Sequence, residues 1–445
     1  MKKGILRNVF TVGGLTAFSR VLGLVREMLQ SRLIGAGVEQ SAFTLAFALP
    51  NMARKLFGEG ALTAAFVPVF KSEVERGEIE SARRLARAVL TMMLLVLGAV
   101  VALAVIGLSA YLGFAGGLSE RTTLTVRLVR ILCPYMMFIC GAAFGMGVMN
   151  ALGRFVEGAF MPAFLNVIWI LALALLCFFP DLSLSARVTW VAWAILAGGF
   201  AQMMFLFRCM AKRGFGGLVR LRSLKGCLGN EKFRTVWRNT LLAAVGAGAV
   251  QINYMLDQIL GQLAAPWAAG VIGYAERLID LPLGVVGVAF GTVLLPTFAG
   301  CFAKGDAAGA RKALKTSVVQ ILALMIPASV VTFFAAEWIV WLVYQGHAFD
   351  ATATVRVARA LAIYGTGLTF FAIQKCLIPF FQARGDMKTP LKVTVETVIL
   401  NATLNILAVA LLPVEWRHVG LAASTSVCSF VGCVLFTVKL RQRRF

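Results

Sequence analysis

Residues 88–119 have the sequence AVLTMMLLVLGAVVALAVIGLSAYLGFAGGLS, without one charged side chain. A helix needs about 20 consecutive apolar residues to cross a bilayer, because its backbone hydrogen bonds must all be made within the segment. This run is long enough for one complete crossing. It predicts a membrane-spanning helix and sets the pattern against which the rest of the chain can be compared.

The composition extends this prediction to the whole chain. Of 445 residues, 60% are hydrophobic and 14% are charged, and the mean hydropathy is +0.84. Soluble domains carry about 25% charged residues, so an ordinary soluble protein is excluded. We expect an all-α polytopic membrane protein with about twelve spans. They lie at 9–34, 41–70, 88–119, 131–153, 158–180, 188–207, two between 239 and 303 joined near Ala264–Gly270, 316–336, 357–381, 397–414 and 419–438.

The basic residues predict how the chain lies in the membrane. There are 43 Lys and Arg against 20 Asp and Glu, a net charge of +23. Most of them fall in loops between the apolar runs that lie on the same side of the membrane as the N-terminus, above all in the loop 208–238. Basic residues in short loops mark the cytoplasmic side, so we expect a cytoplasmic N-terminus and attraction to anionic lipids, with no nucleic-acid partner. The run 10–18 is cut short by Arg20, and no small-residue cleavage site follows, so we expect no cleaved signal peptide.

Residues that commonly support catalysis are scarce. Only His347 and His418 are present, the nine cysteines form no CxxC pair, and no Gly-Lys dipeptide occurs. A zinc site, a Ser-His or Cys-His catalytic group and a P-loop therefore have almost nothing to build on. We expect that the protein is not an enzyme.

The two halves of the chain resemble each other. The run 49–70, which holds two prolines, is similar to 281–298, at an offset of about 230 residues. The second copy is four residues shorter between its prolines, close to one helical turn. Duplicated lobes with a site between them are common in transporters, although apolar segments also resemble one another by chance. We expect an N-terminal lobe at 1–215, a basic cytoplasmic linker at 216–237 and a C-terminal lobe at 238–445, each lobe with six helices around a central cavity.

Charged residues inside the first span identify a candidate binding site. An ionisable side chain at membrane depth costs several kcal/mol unless it is paired or faces water. Arg20 and Glu27 are seven residues apart and share one helical face, whereas Arg26 points roughly 120° away. Internal ion pairing and snorkelling to the interface are the structural alternatives.

Further charges lie in the second span and early in the second lobe. Lys55 and Glu59 can pair at i,i+4, which leaves Arg54 without a local partner, and in the run 276–280 an arginine lies between two acids. Arginine suits an anionic ligand, because its planar fork binds phosphate oxygens bidentately and keeps its charge when desolvated. The candidate binding residues are Arg20, Arg26, Arg54, Arg277, Glu59, Glu276 and Asp280.

A second polar group contains no cation. Asp257 follows Asn253 in the seventh span, and Asn401 and Asn405 are spaced at i,i+4 in the eleventh. Oxygen atoms of this kind could hold a hard cation such as Na⁺. Hydrogen bonding between helices is an equally good explanation of the same residues.

Several motifs resemble those of the MurJ (MviN) family of lipid II flippases. In the first half they are FSRVLGLVRE at 18–27, GAG at 35–37, AF at 42–43, LPN at 49–51 and RKLFGEGA at 54–61. In the second half they are YAERLIDLP at 274–282, GVVGVA at 284–289 and LLP at 294–296.

The resemblance implies the fold of the MOP exporters and a site in the bacterial cytoplasmic membrane. The implied substrate is lipid II, an undecaprenyl-pyrophosphate-linked disaccharide-pentapeptide, which alternating access would carry to the outer leaflet for peptidoglycan synthesis. It implies that the arginines essential in the family fall on Arg20, Arg26, Arg54 and Arg277. It also implies a sodium site at Asp257, Asn401, Asn405 and Thr425. No other cofactor is implied; sodium, protons or the membrane potential would drive transport.

This sequence departs from the family in two places. The family usually carries two more C-terminal helices that form a groove for the lipid tail, whereas we expect twelve spans followed by a basic tail in this sequence. Where the family commonly has an acidic residue before the Ala-Phe pair, this chain has Ser41, with Glu39 as a nearby substitute.

Two other functions fit the sequence. A related exporter of another polyprenyl-linked oligosaccharide or of a cationic drug would share the fold, but a drug exporter would favour acidic and aromatic residues over arginines. A scaffold that docks cell-wall synthesis proteins on loop 208–238 would tolerate neutral substitutions at Arg26 and Arg54.

Overall fold

The computed structural model describes residues 2–56, 62–216 and 231–442. Within them the chain forms fifteen α-helices and no β-strand, which confirms the predicted all-α class. The helices are α1 (Lys2–Ile34), α2 (Val38–Ala53), α3 (Leu62–Glu75), α4 (Ile79–Phe114), α5 (Glu120–Leu132), α6 (Tyr135–Ala151), α7 (Phe155–Leu176), α8 (Leu184–Met210), α9 (Glu231–Ala264), α10 (Ala268–Ala303), α11 (Ala307–Phe334), α12 (Ala336–Tyr344), α13 (Ala351–Ala383), α14 (Lys388–Leu411) and α15 (Val414–Gln442).

Eight helical segments of the described chain are long and apolar enough to cross a membrane. They coincide with the third to sixth and the ninth to twelfth predicted spans, and α5 and α6 together form one of them. The other four predicted spans coincide with α1, with α2 and α3, with α9 and with α10. The predicted junction near Ala264–Gly270 is confirmed, because α9 ends at Ala264 and α10 begins at Ala268.

Polar caps fix where several helices begin. Ser119 and Ser183 accept hydrogen bonds from backbone amides in the first turns of α5 and α8. Asp306 and Asp350 do the same for α11 and α13, each at 2.7 Å. Such caps satisfy amides that lack a partner within the helix, and they account for starts that an apolar run alone cannot define.

The first compact unit comprises residues 1–34 and 42–251. In it α7 packs along α1 and α8, and α6 packs against α8. Small residues permit this close approach: a Cβ atom at Gly199 would lie 2.4 Å from the Tyr135 ring, and one at Gly141 would lie 2.7 Å from Met203 Sδ. The glycines of α6 and α8 therefore set the spacing of these two helices.

The second compact unit comprises residues 35–41 and 252–445, with α10, α11 and α15 packed on the central helix α13. Gly35 in the short segment has φ +78°, and a Cβ atom there would lie 2.2 Å from the Ala348 carbonyl oxygen. Only glycine fits that position. Ser41, which stands where the family commonly has an acid, accepts a hydrogen bond from the Gly270 amide at 2.9 Å.

The two copies of the repeat differ in their helices. In the second copy α10 continues through Pro282 and Pro296, whereas in the first copy Pro50 lies in α2 and Pro68 in α3. The predicted single span 41–70 is thus built from two helices in the described chain. The predicted lobe boundaries at 1–215 and 238–445 stay predictions, and 217–230 of the linker lie outside the described residues.

Candidate functional site

Arg26 is held in place on α1 by three neighbours in the first unit. It forms an ion pair with Glu27, and its Nη1 donates a hydrogen bond to Asn166 Oδ1 at 2.8 Å. Its guanidinium carbon lies 4.3 Å from the centre of the Trp169 ring. The side chains of Arg26 and Glu27 are only 13% and 7% exposed. The charge is therefore fixed in direction rather than free to snorkel to an interface.

Glu27 also forms an ion pair that the sequence did not predict. The spacing places Glu27 on the helical face of Arg20, and its carboxylate contacts the chain neighbour Arg26. A long arginine side chain can reach an adjacent residue even when the two Cβ atoms point in different directions. The ion pair therefore neutralises part of the charge of Arg26.

Asn166 and Trp169 of α7 are positioning residues that sequence reasoning missed. Asn166 is buried, and its Nδ2 donates to the Ser19 carbonyl at 3.0 Å while its Oδ1 accepts from Arg26. It thereby joins α7 to α1 across the place where Arg26 lies. One signal was available: Asn166 is the only strongly polar residue in the run 158–180.

Arg20 lies elsewhere on α1, at the wall of a cavity of about 450 Å³ inside the first unit. The side chain is exposed, and the lining combines apolar groups with hydroxyl and amide groups. The lining residues are Thr16, Ser19, Arg20, Met146, Asn150, Phe155, Gly158, Ala159 and Pro162. A cationic side chain beside such a space can bind an anionic group.

The prediction that Arg54 lacks a local partner is wrong. Its Nε and Nη2 donate to Asn51 Oδ1 at 3.2 and 2.7 Å. Residues three apart are neighbours on a helix surface, so an uncharged amide at this spacing orients the guanidinium without neutralising it. The predicted partner of Lys55, Glu59, lies outside the described residues.

In the second unit, Glu276, Arg277 and Asp280 lie along α10. Glu276 and Arg277 are half-buried, whereas Asp280 is exposed. All three interact electrostatically with Tyr254 of α9. These three charges lie within about one turn of one helix, and their role in binding stays a prediction.

Asp257 of α9 lies in a network of amide groups. Its Oδ1 accepts a hydrogen bond from Asn405 Nδ2 at 2.6 Å, and its Oδ2 accepts one from Asn253 Nδ2 at 3.3 Å. Asn405 Nδ2 also donates to Asn401 Oδ1 at 2.9 Å, and Asn401 Nδ2 donates to Thr425 Oγ1 at 3.3 Å. The network joins α9, α14 and α15.

The donor set of this network suits a hard cation. All of its possible ligands are oxygen atoms, and Asn405 Oδ1 is buried without a hydrogen-bond partner among the residues that the structure describes. In the described structure the Asn405 amide nitrogen lies between Asp257 and Asn401, so the amide would have to turn for its oxygen to face an ion. No cluster of three His, Cys, Asp or Glu side chains with metal-binding geometry occurs in the described chain.

The fold is shared with solved membrane transporters. A lipid II flippase MurJ in an inward closed conformation matches with a TM-score of 0.80 at 23% identity, over 97% of this chain and 87% of that one. An inward-facing multidrug resistance MATE family transporter of the MOP superfamily matches with a TM-score of 0.74 at 14% identity, over 97% and 98% of the two chains. The chain is therefore a multi-pass membrane protein with the MOP transporter fold.

Sequence comparison identifies the family within this fold. Residues 30–445 match the family model described as Lipid II flippase MurJ. The probable lipid II flippase MurJ of Rhizobium tropici is 34% identical over 99% of this chain and 81% of its own length. The lipid II flippase MurJ of Burkholderia cenocepacia is 30% identical over 99% and 84%. This chain belongs to the lipid II flippase MurJ family.

Proposed function

We propose that this protein moves lipid II from the inner to the outer leaflet of the bacterial cytoplasmic membrane. Membership of the flippase family supports this function. The structural observation that carries it is Arg26 of α1, whose side chain is 13% exposed and which α7 holds in one direction through Asn166. A cation fixed at membrane depth is costly unless it serves a ligand or a partner, and a pyrophosphate is a suitable ligand.

The pyrophosphate would bind to Arg20, Arg26, Arg54 and Arg277. Their planar forks suit phosphate oxygens, and they remain charged when water is excluded. The acids Glu59, Glu276 and Asp280 would limit the excess positive charge while the carrier is empty. The sugar and peptide would occupy a watery cavity, and the polyprenyl chain would stay in the bilayer.

Transport needs no chemical step, so the protein acts as a carrier and not as an enzyme. Its two lobes would expose the arginines alternately to each side of the membrane, with the N-terminus in the cytoplasm. The asymmetry of basic residues supports this orientation, because cytoplasmic loops carry most Lys and Arg.

An external gradient would supply the driving force. A membrane potential that is negative inside favours the return of an empty, arginine-lined carrier to its inward-facing state. Sodium or proton coupling is the alternative. Sodium would be held by Asp257, Asn401, Asn405 and Thr425, whose oxygen atoms fit it once the Asn405 amide turns, and it would add a charge that moves with the carrier.

Rescue of a bacterium depleted of its own lipid II flippase tests this proposal. The parent chain is compared with Arg26→Ala and Arg54→Ala at matched membrane levels, and with the control Lys312→Gln at an exposed position near the start of α11. We expect rescue by the parent and the control and loss in both arginine variants. A well-inserted parent that fails would indicate another lipid or drug cargo. Rescue by every variant would contradict the arginine mechanism and favour a scaffold.

A further inference from the structure

A small basic pocket lies between two helices of the second unit, at their charged end. It has a volume of about 200 Å³ and is lined by Lys388, Thr389, Lys392, Lys439 and Gln442, which together we name the lysine pocket. Lys388 and Lys392 lie one turn apart at the start of α14, and Lys439 lies in the last turn of α15. Every lining side chain is polar and three are cationic, so the pocket can bind an anion.

The acids near the pocket leave this positive charge in excess. Glu396 lies 3.8 Å from Lys392, but this one acid faces three lysines and neutralises only part of the pocket charge. Asp386 accepts hydrogen bonds from the Thr389 amide at 3.0 Å and the Thr389 hydroxyl at 2.7 Å. It therefore serves as the cap of α14. Because Asp386 already occupies that helix terminus, an anion would be held by the lysine side chains rather than by backbone amides.

The surface around the pocket favours a lipid as the source of the anion. Directly beyond the lysines the same two helices expose Leu391, Val395, Val434 and Val438, each at least 40% exposed. Both helices are apolar enough to cross a membrane. A cationic pocket at the edge of a lipid-facing apolar surface lies at the depth of phospholipid head groups.

The size of the pocket suits a phosphate group. A volume of about 200 Å³ corresponds to roughly seven water molecules at about 30 Å³ each. That space accommodates a phosphate and the atoms next to it. We propose that the lysine pocket binds a phosphate-bearing anion, with the head group of an anionic phospholipid as its source. This site is separate from the arginines assigned to the transported substrate.

Native mass spectrometry of the full chain from nanodiscs tests this site. The nanodiscs contain phosphatidylcholine with or without phosphatidylglycerol. The triple variant Lys388→Gln, Lys392→Gln, Lys439→Gln removes the pocket charge. Its matched control, Lys304→Gln, Lys312→Gln, Lys315→Gln, removes three exposed lysines at or beside the start of α11. We expect the parent and the control to retain phosphatidylglycerol and the pocket variant to lose it, with about fivefold weaker binding for each single lysine removed.

Two results would overturn the proposed lysine-pocket site. The first is an equal loss of phosphatidylglycerol in the pocket variant and the control, because general positive charge would then explain the binding. The second is that the parent retains phosphatidylcholine as well as it retains phosphatidylglycerol. Inorganic phosphate at millimolar concentration serves as a competitor. If it displaces the lipid from the parent and stabilises the parent but not the pocket variant, the phosphate site stands and its source is free phosphate.

Discussion

Both units hold a half-buried charge on a long helix with the help of asparagine, but they compensate that charge differently. In the first unit Arg26 has an opposite charge beside it in Glu27, as well as Asn166 and the Trp169 ring. In the second unit the hydrogen bonds to Asp257 come from the neutral amides of Asn405 and Asn253. Arg26 is thus a cation paired with an opposite charge and held in one direction, whereas Asp257 is an anion whose hydrogen-bond partners are neutral amides.

This difference has consequences for mutation. Removing one member of a buried ion pair leaves the other charge uncompensated, which costs about 3–5 kcal/mol. Neutralising a charge whose partners are themselves neutral leaves no charge behind. We therefore expect substitution of Arg26 to lower the stability of the protein, and substitution of Asp257 to change mainly its response to cations.

The largest expected effect is that of Arg26→Ala. It removes the ion pair with the buried Glu27 carboxylate, so we expect a loss of about 3–5 kcal/mol in the free energy of unfolding, measured in detergent by denaturant titration. The double variant Arg26→Ala, Glu27→Gln should recover most of that stability and none of the transport. Equal stability of the single variant and the parent would contradict the pairing in the first unit.

The next effect is that of Asn166→Ala. It removes the acceptor of Arg26 and the donor to the Ser19 carbonyl, and we expect a loss of about 1–3 kcal/mol in stability. We also expect transport to lose apparent substrate affinity more than maximal rate, because Arg26 is no longer held in one direction. Asn166→Asp keeps the acceptor for Arg26 and should retain more affinity. Matching kinetics for the two variants would argue against a positioning role.

Asp257→Asn should change stability less, by about 1 kcal/mol or below, because an amide can keep the bond to Asn405. The same change removes the only carboxylate among the proposed sodium ligands. We expect the dependence of transport on sodium to disappear while transport driven by the membrane potential persists. The matched control is Thr403→Ala, on the exposed face of α14, the helix that carries Asn405. Unchanged sodium dependence in Asp257→Asn would rule out the site.

The smallest expected effect lies outside the membrane, in the first unit. Lys232 donates a hydrogen bond to buried Glu73 at 2.6 Å, and this bond holds the pKa of Glu73 below its usual value of 4.5. A carboxylate with a lowered pKa stabilises the folded state above its unfolded pKa, and that contribution is lost as the pH falls through the folded value. The melting temperature of the parent should therefore fall below about pH 4.5 more steeply than that of Glu73→Gln. Parallel curves would contradict this link.

The sequence predicted the helices better than the contacts between them. Apolar runs define where spans lie, and the junction near Ala264–Gly270 and the hydrogen bond between Asn401 and Asn405 were both predictable from local spacing. Asn166 lies 140 residues from Arg26, so only the packing of α7 on α1 brings the two together. No periodicity in the sequence contains that information.

The wrong prediction that Arg54 lacks a local partner has a simple physical origin. Pairing was predicted from charged residues alone, so the uncharged Asn51 was overlooked as a partner of Arg54. A neutral amide orients a guanidinium as well as a carboxylate does, although it leaves the charge intact. In a membrane helix an amide side chain is therefore as plausible a partner for an arginine as a charged side chain is.

In the proposed mechanism the protein moves lipid II across the membrane while arginines held in a fixed direction bind its pyrophosphate. The most direct test is the movement of fluorescent lipid II across proteoliposomes by the parent, by Arg26→Ala with Glu27→Gln, and by the control Lys312→Gln. We predict transport by the parent and the control and at least a tenfold loss in the double variant, although the double variant recovers most of the stability that Arg26→Ala loses. Transport by the double variant at the parent rate, or a folded parent that moves no lipid II, would contradict the account.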